Sequence, residues 1–95
     1  MLGERLKSLR EMKGYVQRQV AAKLEVDTAY VSKIESNEKL VSRNHLKALS
    51  TLFGVSEEEL LTLWLADKLY ELAKDEKVAI NALQLASSAI LKNNQ

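Results

Sequence analysis

Residues 17–35 read Gln17-Arg18-Gln19-Val20-Ala21-Ala22-Lys23-Leu24-Glu25-Val26-Asp27-Thr28-Ala29-Tyr30-Val31-Ser32-Lys33-Ile34-Glu35, and their reading decides the fold. Val20, Ala21 and Leu24 fall on one face of a first short helix, and Val31 and Ile34 on one face of a second. Between them Glu25-Val26-Asp27 leaves room only for a tight turn, and Asp27 is a good N-cap for the second helix. Ala21 sits where the two helices would cross, where a small side chain lets backbones approach. Val26 can plug the gap beside the turn. The outward face of the second helix is then Thr28, Ala29, Tyr30, Ser32, Lys33 and Ser36. Short polar side chains with one cation suit a helix that enters the major groove of DNA.

Working outward, the remaining segments also read as helices. Leu2, Leu6 and Leu9 share one face of a helix over about 2–13, with Gly14 as its terminator. Residues 36–41 read as a loop. Ser42 is expected to cap a fourth helix with Leu46, Leu49, Leu52 and Phe53 inward, ended by Gly54. Ser56 and Glu59 form a capping-box pattern for a fifth helix from Glu57 to about Ala73. That helix is apolar on two sides: Leu61, Leu65, Leu69 and Leu72 make one stripe, while Leu60, Leu63, Trp64 and Tyr70 make another. Asp75 can cap a sixth helix, about 76–91, and the brief turn before it implies an antiparallel hairpin. Asn93, Asn94 and Gln95 are expected to fray.

The expected fold class is therefore all-α: a five-helix domain with an additional C-terminal helix that forms a helical hairpin. Residues 1–66 would be the main domain and 67–95 an extension sharing helix 5. Ninety-five residues without proline, with three glycines and five aromatics, suit such a domain. The chain has no cysteine, which excludes disulfides and thiolate metal sites. No signal peptide or membrane-spanning run stands out, so a soluble cytoplasmic protein is expected. Net charge is +1, but it is unevenly placed. Residues 1–50 hold ten Lys or Arg against six acids, and residues 51–95 hold four Lys against seven acids. The first half is built to approach a polyanion.

The candidate DNA contacts come from that geometry. Lys33 can reach a guanine edge or a phosphate. Gln17, with Arg18 beside it, can hold a phosphate at the start of the second helix, where the backbone dipole helps. Asn37, Lys39, Arg43 and Asn44 can grip the DNA backbone from the following loop. Tyr30 either stacks on DNA or lies back over Ile34. Glu35 is expected to pair with an arginine such as Arg10 or Arg43, because its charge would repel DNA. His45 is a lone histidine, an exposed residue or loose phosphate contact rather than a metal ligand. No cofactor, metal or small-molecule site is expected. No nucleophile–base pair or glycine-rich phosphate loop suggests an enzyme.

On "LGERLKSLREMKG", "QRQVAAKLEVDTAYVSKIES" and "LKALSTLFGVSEEELL", residues 2–66 resemble the phage-repressor-like (Cro/C1, XRE) helix-turn-helix family of transcriptional regulators. Gln17, Ala21, Val26, Val31, Ser32, Ile34 and Glu35 stand in register with its pattern. The resemblance implies sequence-specific binding of double-stranded DNA, with contacts at Gln17, Thr28, Ala29, Ser32, Lys33, Ser36 and Arg43. The chain departs from the pattern at Val16, where Ser or Thr is usual, and at Glu25 and Asn37, where Gly is usual. The extra C-terminal helix is similar to that of controller-type regulators of restriction–modification genes.

The extension has no chemical signature, but its two-sided apolar helices suit a homodimer interface through Leu61, Trp64, Leu65, Leu69, Leu72, Leu83, Ala86 and Ile90. A dimer implies a palindromic operator with half-sites about 34 Å apart. Two other functions fit the same residues. One is an antitoxin whose hairpin binds a toxin. The other is a helical protein-interaction module that binds no DNA.

Overall fold

The computed structural model describes residues 1–94; the expected fraying of Gln95 falls outside them. Among the described residues there are six α-helices and no strands: α1 (Leu2–Met12), α2 (Gln17–Leu24), α3 (Thr28–Glu35), α4 (Leu46–Phe53), α5 (Glu57–Ala73) and α6 (Ala79–Asn93). A single 3-10 turn, Arg43–His45, leads into α4. The Ser42 side chain makes no cap bond there.

The helix ends reflect local chemistry. Gly14 and Gly54 adopt positive φ at the ends of α1 and α4. The Asp27 carboxylate accepts the Tyr30 N–H at 2.8 Å, capping α3 as the sequence predicts. Ser56 Oγ accepts the Glu59 N–H at 3.0 Å. The reciprocal half of that capping box is absent. Glu59 instead reaches Arg5 on α1 at 2.9 Å, because a cation on a neighbouring helix competes successfully for its carboxylate. α6 begins at Ala79 rather than at residue 76 and continues through Asn93.

Leu2, Leu6, Leu9, Val20, Leu24, Val31, Ile34, Leu46, Leu49, Phe53 and Leu60 form one buried core shared by α1–α5. Val41 joins it at 2% exposure, so the expected loop is nailed down at its end. Trp64 caps the core at 9% exposure and donates its indole N–H to the Val41 carbonyl at 2.7 Å. Of the second apolar surface read on helix 5, Leu60, Leu63 and Trp64 face the core, whereas Tyr70 is exposed. The stripe continuing through Leu65, Leu69 and Leu72 is the exposed one.

α6 corrects one expectation. It buries no residue, and it does not lie packed along α5 as a closed hairpin within one chain. The Cα radius of gyration, 15.3 Å, exceeds the roughly 12 Å of a compact chain of this length. A short turn brings two helices together only if their apolar faces meet. Here the core already holds the inner side of α5.

Two long-range contacts fix α1. Asp67 of α5 accepts the Leu2 N–H at 2.9 Å, serving as a cap supplied from 65 residues away. Gly3 lies against the end of α3. A Cβ there would meet the Ile34 carbonyl oxygen at 2.6 Å and the Glu35 carbonyl oxygen at 2.8 Å. Gly3→Ala must therefore push α1 off α3. We expect a loss of about 1–3 kcal/mol, read as a lower urea midpoint, whereas Gly14→Ala, with open space around it, would register only backbone strain.

Candidate nucleic-acid interface

The interface is built on a buried ion pair. Arg10 on α1 holds Glu35, the last residue of α3, in a bidentate grip: Nε to Oε2 at 2.7 Å and Nη2 to Oε1 at 3.1 Å. Their side chains are only 12% and 5% exposed. Arg10 Nη1 also donates to the Tyr15 carbonyl at 2.9 Å. The hydrogen bond to Glu35 raises the Arg10 pKa further, so the guanidinium stays charged at any working pH. Of the two arginines considered for Glu35, Arg10 is the one that takes it.

Gln17 completes the set. Its amide nitrogen, Nε2, donates to Glu35 Oε1 at 3.0 Å. The side chain expected to hold a phosphate is thereby oriented by the buried carboxylate, and Gln17 itself is half-buried at the first position of α2. Three helices meet at one carboxylate. At Val16 only one half of a capping box remains: Gln19 Oε1 accepts the Val16 N–H at 2.8 Å, and no side chain caps the first turn of α2. Glu25 and Asn37 both take left-handed backbone, with φ of 58° and 65°. At these two positions non-glycine residues adopt the left-handed backbone that favours glycine.

With α3 fixed by Val31, Ile34 and Glu35, its outward residues Thr28, Ala29, Ser32, Lys33 and Ser36 are all exposed. Arg18, Lys39, Arg43 and Asn44 are exposed as well. Ser36 Oγ donates to the Lys33 carbonyl at 3.1 Å and closes the end of the helix.

Two candidates are engaged elsewhere. Tyr30 is half-buried and turned toward the α3–α4 loop. Its hydroxyl accepts the Ser42 N–H at 2.9 Å and lies 3.1 Å from His45 Nδ1. The rings meet edge to face with centroids 5.6 Å apart, and Lys39 Nζ stands 5.4 Å from the Tyr30 ring. This cluster, invisible in the sequence because 15 residues separate Tyr30 from His45, ties the basic loop to α3. Asn37 faces α1 rather than outward. Its Oδ1 accepts the Gly3 N–H at 3.2 Å, and its amide donates to the Glu4 carboxylate.

Arg43 stands 5.6 Å from the centre of the Trp64 ring, and Lys68 4.5 Å from it. Trp64, expected at a subunit contact, is instead part of the core and a platform for these cations. Among the described residues no cluster of His, Cys, Asp or Glu could hold a metal ion, and no helix is long and apolar enough to cross a membrane.

The family described as "Helix-turn-helix" matches residues 6–60. A chain of the solved "SinR protein/SinI protein complex" superimposes with a TM-score of 0.58 at 28% identity, over 100% of both chains. No curated protein matches.

Two measurements probe the interface scaffold. Glu35→Ala leaves Arg10 buried without its partner and should reduce stability by about 3–5 kcal/mol. The double replacement Arg10→Met with Glu35→Leu should recover most of that, since no charge is then left stranded. Glu4 provides a pH test. The Asn37 amide, then the Glu4 backbone N–H, lower its pKa from 4.5 to about 2. A depressed carboxylate stabilises the fold above pH 4.5, and that contribution disappears as pH falls toward 2. Asn37→Gly keeps the positive φ but removes the amide, so acid unfolding followed by circular dichroism should be less steep over that interval.

Proposed function

This chain belongs to the phage-repressor-like helix-turn-helix family of DNA-binding transcriptional regulators, and on that premise we propose that it acts as a dimeric repressor or controller on a palindromic operator, read through α3. The observation that carries this reading is the exposed face of α3, Thr28 to Ser36, presented by the buried Arg10–Glu35 pair. Thr28, Ala29 and Ser32 are short enough to admit the helix deep into a major groove, and Lys33 lies one turn on. Lys33 reads a base edge. Gln17 and Arg18 hold phosphate at the N-terminus of α2, and Lys39, Arg43 and Asn44 hold it from the other side. Tyr30 and Asn37 act indirectly by fixing the backbone that carries those groups.

Repression results from occupancy of promoter DNA, including the promoter of its own gene. Two copies related by a two-fold axis would set their α3 helices about 34 Å apart, on half-sites one helical turn from each other. The exposed apolar side chains Leu65, Leu69, Leu72, Leu83 and Ile90 support a dimer surface in the C-terminal helices, with Ala86 among them and the half-buried Leu61 at its edge. A second reading, in which these helices dock a different protein, as an antitoxin would, has one observation in its favour: the similar SinR chain was solved in a complex with the SinI protein. Copurification of a small second protein with the tagged chain separates the two.

Lys33→Ala should weaken operator binding by about 1–3 kcal/mol and relax the sequence preference at one base pair. Arg43→Ala should instead weaken operator and random DNA alike, lowering the slope of log affinity against log salt by about one. Fluorescence anisotropy across a salt series checks both. Equal losses on operator and random DNA for Lys33→Ala would remove that lysine from base reading.

A further inference from the structure

We infer that α6 pairs antiparallel with α6 of a second copy of this chain, in a register that sets Leu83 against the partner's Ala86 and Ile90 against the partner's Ala79. The inference deepens the dimer reading above and rests on it.

The need for cover is specific to this end of the molecule. Among the described residues thirteen large apolar side chains stand exposed, and ten of them lie between Leu65 and Leu91. No α6 residue is buried. From Ala79 through Leu91 the helix carries no Asp, Glu, Lys or Arg. A lone helix of 15 residues is marginal in water. One without charges or a covered face has nothing to hold it, so a partner helix is required.

The pattern on α6 selects its own copy. Ala79, Leu83, Ala86 and Ile90 recur at spacings of four, three and four residues, which places them on one seam. Along that seam small and large side chains alternate. Two parallel copies would set leucine on leucine and alanine on alanine, crowding some layers and leaving voids in others. Two antiparallel copies, offset as stated, put one alanine and one large side chain in every layer. All layers then fill equally, and the backbones can approach to roughly 8 Å, the close end of ordinary helix packing. Asn81, Gln84 and Ser88 fall on the opposite side of the helix. The absence of charge removes self-repulsion and leaves no charge pattern by which a foreign surface could be selected.

Area sets the extent of the contact. A helix of 15 residues is about 22 Å long. At about 10–12 Å across, one face of it covers on the order of 200–300 Å², short of the roughly 800 Å² per partner in a stable interface. The contact must therefore take in the exposed α5 residues Leu65, Leu69 and Leu72 too.

The chain has no cysteine, so introduced thiols report alone. Ala79→Cys and Ile90→Cys variants are oxidised separately and as a mixture, with helical content and Trp64 fluorescence used to confirm the fold. The mixture should give a disulfide-linked dimer of one chain of each kind. Neither variant should crosslink to itself, because in this register equivalent residues lie about 16 Å apart, eleven residues at the helical rise. Self-crosslinking of each variant at least as efficient as the mixed product would mean a parallel seam and overturn the inference. Leu83→Glu should convert a dimer into a 10.7 kDa monomer in sedimentation equilibrium. A dimer that persists in Leu83→Glu, with no mixed crosslink, places the interface elsewhere; the α6 seam fails while the dimer reading stands. A wild-type chain that sediments as a 10.7 kDa monomer at tens of micromolar overturns the dimer reading itself.

Discussion

One carboxylate organises this domain. Glu35 ends the helix that faces outward, and it is held by Arg10 of α1 and Gln17 of α2. A charge this buried is tolerable only when its lone pairs are filled by a cation and further donors. Its burial therefore dictates where α1, α2 and α3 can stand relative to each other. The polar face of α3 stays exposed because everything behind it, from Val31 to the bidentate pair, is packed into the core. Gln17 links the two roles most directly, since the same side chain that satisfies Glu35 opens the helix expected to touch phosphate.

α5 connects this scaffold to the rest of the chain. Its inner side, Leu60 and Trp64, closes the core, and the Trp64 indole N–H fixes the loop at Val41. Its Asp67 and Glu59 reach back to α1. Its outer stripe, beyond Leu65, does none of this and stays exposed. A helix with two apolar sides thus divides its labour along its length. The first three turns belong to the domain, and the remainder offers a surface that one chain alone leaves uncovered.

The basic loop is held with comparable care. Tyr30 bridges Ser42 and His45, Asn37 bridges Gly3 and Glu4, and Arg43 stands near Trp64. These links convert a ten-residue connection into a fixed platform beside α3. Lys39 and Arg43, proposed as phosphate contacts, are thereby presented from a fixed backbone, which limits the entropy lost on binding.

Local chemistry was enough to read most of the helices from the sequence. Periodic leucines, the Asp27 and Ser56 caps and the glycines at 14 and 54 act within a few residues, so the elements they define are legible without a fold. The exposed face of α3 was legible for the same reason: burying Val31 and Ile34 leaves only one side outward. Tertiary structure decided what depends on residues far apart in the chain. The Glu35 network, the Tyr30–His45 bridge, the cap that Asp67 provides to α1 and the close approach at Gly3 each join distant segments, and no periodicity encodes them. The choice of which apolar side of α5 faces the core, and the failure of α6 to fold back upon it, are likewise competitions between surfaces. Such competitions are settled only when all the surfaces are present together.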